Sequence, residues 1–110
     1  MKEVVVLPTF QREAKILHKR YKSFADDFDA FLEQIEKTPL MGTDLGHGFR
    51  KVRMAIASKS KGKSGGARII TFVVKAQEDT ISLLYIYDKA DRSNISKKEL
   101  FDLLQQNGLQ

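Results

Sequence analysis

Lysine and arginine side chains placed to meet a phosphate are the first chemistry this sequence offers. In the run Phe49-Arg-Lys-Val-Arg-Met-Ala, Lys51 and Arg53 sit two residues apart among apolar neighbours. On a strand that spacing puts both on one face, with Val52, Met54 and Ile56 on the other. Arg68 begins a second strand-like run, Ala67 to Lys75. If the two runs pair, Lys51, Arg53 and Arg68 converge on one patch. A planar guanidinium binds two phosphate oxygens at once, and fixed cations stabilise the charge that builds on a phosphoryl centre under attack. Lys51, crowded by Arg50, Arg53 and Arg68, suits a general base or a fixed cation, and the sequence leaves both open. Single exposed strand charges commonly serve only solubility or edge protection. Three with no counter-charge nearby repel one another, so a polyanionic ligand accounts for them better.

Neighbouring residues extend the patch. Arg50, Lys59, Lys61, Lys63, Lys89 and Arg92 are candidate contacts to a nucleic-acid backbone. Tyr87 shares a predicted strand face with Tyr85, where it either stacks on a base or simply packs against the sheet. Side-chain acid–base chemistry is thinly supplied. His18 follows the core-facing Leu17 in a predicted helix. His47, in a glycine-rich loop just before the basic strand, is a candidate for proton transfer. The absence of cysteine removes disulfides, thiol catalysis and cysteine-ligated metals, and two histidines supply a protein-held metal poorly. No metal or cofactor is expected. Gly62-Lys63-Ser64 ends like a phosphate-binding loop, but Ala57 stands where the first glycine belongs and a strand follows instead of a helix.

Charge along the chain sharpens the patch. The 110 residues carry 19 basic and 14 acidic side chains, a net +5. Between Asp44 and Glu78 there is no acidic residue and there are eight basic ones, so the rest of the chain is net −3. One acid-free basic block on a mildly acidic chain points to a polyanionic partner at one face. The longest apolar run near the N-terminus, Val4 to Leu7, is too short for a signal or a membrane span, so a cytoplasmic protein with no membrane partner is expected.

The elements that must position these residues read as α+β, in a single domain over 1–110. Glu3 to Leu7 is a β-branched strand stopped by Pro8. Phe10, Ala14, Leu17, Tyr21 and Phe24 follow helical spacing. A second helix, capped by Asp26 or Asp27, carries Phe28, Phe31, Leu32 and Ile35 and ends at Thr38-Pro39. The pair forms a hairpin with an acidic outer face. Residues 40–48 read as a glycine-rich loop. A three-strand antiparallel meander follows (Phe49–Ala57, Ala67–Lys75, Ile81–Asp88), its middle strand apolar on both faces and so central. Ser96-Lys-Lys-Glu99 is a capping box that starts a last helix, which Gly108 stops.

Phe49-Arg-Lys-Val-Arg-Met-Ala, Lys61-Gly-Lys-Ser-Gly-Gly-Ala-Arg-Ile-Ile and Tyr85-Ile-Tyr-Asp-Lys resemble the HigB-like branch of the RelE/ParE toxin superfamily, over nearly the whole chain. The resemblance implies a RelE-like fold and the toxin of a type II toxin–antitoxin pair. It implies a ribosome-dependent mRNA endonuclease (an mRNA interferase, hence a hydrolase that inhibits translation). Such an enzyme needs no metal: the 2′-hydroxyl attacks and leaves a 2′,3′-cyclic phosphate. The partners implied are mRNA, the ribosome and a cognate antitoxin, expected to be a helix-turn-helix protein. The family's functional positions fall on Lys51, Arg53 and Arg68, with Lys89 or Arg92 as a further cation. Some relatives use a tyrosine near the C-terminus as acid or base; this chain has none beyond Tyr87, so the resemblance assigns no proton-transfer residue. A gyrase-targeting toxin of the ParE kind and a non-enzymatic RNA-binding module are the alternatives on the same architecture.

Overall fold

The computed structural model describes residues 3–59, 65–74 and 79–109. Its elements run β1 (Glu3–Val6), α1 (Pro8–Arg20), α2 (Phe24–Lys37), β2 (Thr43–Gly46), β3 (Phe49–Met54), a single 3-10 turn (Ala57–Lys59), β4 (Ala67–Phe72), β5 (Thr80–Asp88) and α3 (Lys97–Gln106). The five strands form one sheet in the order β1-β5-β4-β3-β2. Only β1 lies parallel to its neighbour; the other pairs are antiparallel. This is the α+β architecture expected, with β4 at the centre of the sheet. No described helix is long and apolar enough to cross a membrane.

Two local expectations are corrected. The glycine-rich stretch is not all loop: Thr43–Gly46 forms an edge strand on β3, making the meander four strands long. The Asp44 side chain accepts the Gly46 N–H at 2.8 Å. Gly46, His47 and Gly48 then turn the chain with φ of 84°, 56° and 90°, a run of left-handed conformations that glycine adopts without a Cβ clash. Nor do Asp26 and Asp27 cap α2. Ser23 holds the N-cap position, and Asp27 reaches back to accept the Ala57 N–H at 3.1 Å and the Ser23 hydroxyl at 2.7 Å.

Alternation along the strands gives the sheet two apolar faces. On one, Val52, Met54, Ile69, Ile81, Leu83 and Ile86 pack against Phe10, Leu17, Phe24, Phe31 and Ile35 of the helical hairpin. Burying each such side chain contributes roughly 1.5–3 kcal/mol, so this layer carries most of the fold. On the other face, Phe49, Ile70 and Leu84 pack under Leu100, Leu103 and Leu104 of α3. The capping box forms as the sequence predicts: the Ser96 hydroxyl accepts the Glu99 N–H, and the Glu99 carboxylate accepts the Ser96 N–H, both at 3.2 Å. Helix α3 has only ten residues, about 15 Å of helix, and its apolar side shares one cluster with Phe49, Ile70, Leu84 and Tyr87 on this face.

Helix α1 also closes an edge. β1 pairs with β5 only as far as Leu83. Beyond that point α1 runs beside β5, where the Thr9 hydroxyl donates to the Leu84 carbonyl at 2.5 Å. Arg20 and Tyr21 meet Asp88 at the far end. The unpaired half of an edge strand is thereby covered.

Candidate nucleic-acid interface

The cationic end of the second sheet face is built by strand register. Arg53 of β3 lies directly opposite Arg68 of β4, and Arg68 opposite Tyr87 of β5. One step along, Lys51 lies opposite Ile70, and Ile70 opposite Tyr85. Directly opposed side chains start about 4.5–5.5 Å apart, so Lys51, Arg53 and Arg68 share one patch with the two tyrosines. A bulge at Leu84, between the Ile70–Tyr85 and Thr71–Leu83 pairs, keeps Tyr85 on this face. The rings of Tyr85 and Tyr87 are 6.3 Å apart.

The patch is graded in burial. Arg53 is exposed and Lys51 half-buried, while Arg68 is 5% and Tyr87 4% exposed. Burial, reinforced by the charge of Arg53, lowers the pKa of the Arg68 guanidinium. Burial raises that of the Tyr87 phenol, with Arg68 and Arg92 opposing the rise, so Tyr87 is firmly protonated at neutral pH. Its hydroxyl is buried with no hydrogen-bond partner among the described residues. Lys51 and Arg53 make no ion pair among them either. Arg92 completes the edge. Its guanidinium lies 5.5 Å from the centre of the Tyr87 ring, and its Nη2 donates to both Glu99 oxygens at 2.9 and 2.7 Å. That pairing raises the Arg92 pKa and lowers that of Glu99.

Beneath the patch, Asp88 ties three segments together. Its carboxylate, 1% exposed, accepts from the Lys59 ammonium at 2.6 Å, the Arg20 guanidinium at 2.9 Å, the Ala90 N–H at 2.9 Å and the Tyr21 hydroxyl. Burial by itself would raise its pKa, but these donors outweigh burial and hold the carboxyl well below the usual carboxylate range. Arg20 is held charged by Asp91, 2.8 Å away, and by Asp88. The network joins the end of α1 and the turn after β3 to the residue that follows Tyr87.

The other candidates from the sequence fall elsewhere. Arg50 shares the parity of Val52 and Met54, so it points to the helix side, 3.7 Å from Asp44. Lys59 is committed to Asp88, with its side chain 10% exposed. Lys89 is half-buried at the end of β5, its N–H donating to the Gly66 carbonyl at 3.0 Å. His47 sits at the opposite end of β3 from Arg53, with its ring 5.3 Å from that of Phe101 in α3. The turn at Gly48 and four strand residues, Phe49 to Val52, lie between it and Arg53. Lys61 and Lys63 lie outside the described residues, as does Lys75. Among the described residues no group of three His, Asp or Glu is placed to hold a metal ion. The sequence reading missed Asp88, because its donors Arg20 and Tyr21 lie 68 and 67 positions away.

The geometry has the form of a phosphate site: two opposed guanidiniums, an ammonium one step along, and a neutral phenol in register with them. Comparison with known proteins agrees on its origin. No curated protein matches the chain. Residues 9–107 match the family model of the RelE toxin of the RelE/RelB toxin–antitoxin system, a coarser placement than the HigB-like branch. Since that match runs from the first turn of α1 past the end of α3, the chain belongs to the RelE toxin family and is the toxin of a toxin–antitoxin system.

Proposed function

We propose that this toxin is an endoribonuclease that cleaves mRNA on the ribosome, in the cytoplasm, and is held in check by a cognate antitoxin of helix-turn-helix type. The observation that carries the reading is the register Arg53–Arg68–Tyr87 beside Lys51 on the second face of the sheet. In the cleavage step a ribose 2′-oxygen attacks the adjacent phosphorus while its proton passes to a base. The P–O5′ bond breaks, giving a 2′,3′-cyclic phosphate and a 5′-hydroxyl. Negative charge builds on the non-bridging oxygens, where Arg68, Arg53 and Lys51 stabilise it electrostatically. Tyr87, protonated and in register with Arg68, donates the proton taken up by the departing 5′-oxygen, and solvent then restores it. Phosphate drawn to Arg92 competes with Glu99 for that guanidinium and uncovers the phenol.

Mapping mRNA 5′ ends in cells expressing the toxin tests this reading. New 5′-hydroxyl ends inside translated frames are expected. Arg68→Ala should lower cleavage by about 10²–10³, the usual effect of removing one preorganised charge-stabilising donor. Arg53→Ala, at the exposed position, serves as the variant least able to disturb folding. Intact mRNA with broken DNA would move the chain to the gyrase-targeting class. RNA binding without turnover would make it a non-enzymatic binding module.

A further inference from the structure

Helix α1 carries a second cationic surface, separate from the sheet face. Arg12, Lys15 and Lys19 step by 3 and 4 residues, the spacing of a single stripe on a helix, and Lys22 follows just past the end of α1 at Arg20. All four are exposed. The stripe lies about half a turn around the helix from the buried Phe10 and Leu17, so it faces away from the sheet. We propose that this stripe binds the phosphate backbone of folded, double-helical RNA, while the sheet face takes the single strand that is cut.

Three observations favour a ligand over a merely solvated face. First, the stripe has almost no internal counter-charge. Lys15, Lys19 and Lys22 make no ion pair among the described residues, and Arg12 meets only its own neighbour, Glu13, at 3.4 Å. Second, the acidic residues of α2 are next door and unused: no ion pair joins α1 to α2 among the described residues. Third, the helix dipole explains only half of the pattern. Basic residues in the last turn of α1 complement the dipole, but Arg12 lies in its first half and Lys15 ahead of the last turn, and the first turn has no acidic residue. Like charges three and four residues apart on a helix destabilise it, and a polyanion relieves that repulsion.

Chemistry separates the two surfaces. From Arg12 to Lys19 the helix carries no Phe, Tyr or Trp, and Tyr21 beyond it is engaged with Asp88, so the stripe reads mainly backbone charge. The sheet face pairs its cations with Tyr85 and Tyr87 and suits a single strand. From Arg12 to Lys19 the stripe spans about 10 Å at helical rise, room for neighbouring phosphates along one groove edge. The inference rests on the nuclease reading for its purpose, anchoring on structured RNA, but not for its binding chemistry.

The test uses the full chain, released from its antitoxin, and a 2′-O-methylated RNA hairpin that cannot be cleaved. Binding is followed by fluorescence anisotropy across a salt series, against a single-stranded oligonucleotide of equal length. The triple variant Lys15→Gln/Lys19→Gln/Lys22→Gln should bind the hairpin more than tenfold more weakly at about 0.1 M salt. Its log–log salt slope should be shallower by about 2.7, three phosphate contacts at roughly 0.9 each. Single-strand affinity and Tm should not change, and cleavage on ribosomes should fall through KM with kcat unchanged. Hairpin affinity equal to the parent overturns the proposal. So does hairpin binding lost on Arg53→Gln and kept in the triple variant, or intact hairpin binding with weakened antitoxin binding, which would make the stripe a protein-docking surface. A parent chain that binds hairpin through the stripe but cuts no mRNA would sink the nuclease reading alone.

Discussion

Tyr87→Phe should move stability and activity in opposite directions. The Tyr87 hydroxyl is buried, with no partner among the described residues, on a side chain 4% exposed. An unpaired buried polar group costs about 1–3 kcal/mol of desolvation. Phenylalanine keeps the ring against the Arg92 guanidinium and removes only the oxygen, so the variant should be more stable by about 1–2 kcal/mol. For a domain near this size each kcal/mol shifts Tm by roughly 4–8 °C, which gives an expected rise of about 5–10 °C by calorimetry or circular dichroism. Activity should fall if, as proposed, the phenol is the acid for the leaving 5′-oxygen. Losing a positioned proton donor costs about 10²–10⁴ in rate, read in single-turnover cleavage on ribosome-bound mRNA with KM unchanged. A buried hydroxyl that costs stability marks a position where a functional role is worth testing. A lower Tm in Tyr87→Phe would show that the hydroxyl has a partner, and full cleavage would show that it transfers no proton; either result breaks the argument.

Three further outcomes follow from the same geometry. Asp88→Asn leaves Lys59 without its counter-charge and should cost about 3–5 kcal/mol, as breaking a buried pair does. Because the Asp88 pKa is depressed in the fold, its contribution is fully present above the unfolded value near 3.9 and is lost as pH falls below it. The Tm gap between parent and Asp88→Asn should therefore be constant from about pH 5 to 8 and narrow below about pH 4. Gly66→Ala places a Cβ 2.1 Å from the Met54 carbonyl oxygen and 3.1 Å from the Ala55 Cα; backbone cannot yield as a side chain can. A loss of about 2–3 kcal/mol, measured by urea titration, is expected where β4 begins. Arg53→Gln removes the like charge opposite Arg68, so Tm should rise slightly while cleavage falls; an unchanged cleavage rate would remove Arg53 from the site.

The hydrophobic pattern carried much of the architecture. Period-2 alternation placed Lys51 and Arg53 opposite Val52 and Met54, and the doubly apolar run from Ala67 marked the central strand. The Ser96–Glu99 capping box located the start of α3 because its bonds are local to four residues. The pattern failed at β2, where three glycines and Asp44 look like loop. There, positive-φ turns fold a short edge strand back on β3, and edge pairing depends on a partner more than on propensity. It failed again at the start of α2, where Asp27 caps the turn at Ala57 instead of its own helix.

Within the site the same division holds. Sequence alone determined that an acid-free block of cations lies in the strand-forming half of an α+β domain, since residue type, charge and period are local properties. It also held the α1 stripe, written in the 3-4 spacing of Arg12, Lys15 and Lys19 that only an exposed helix face makes meaningful. Tertiary structure decided which cations work together. Register set Arg53 against Arg68 and Tyr87, the pleat turned Arg50 to the helix side, Asp88 claimed Lys59, and the length of β3 carried His47 away. Each of those outcomes depends on strand pairing or on charges brought together from distant positions. Position in the sequence sets only which side chains are available, and a buried carboxylate takes the nearest cations in space, wherever they lie along the chain.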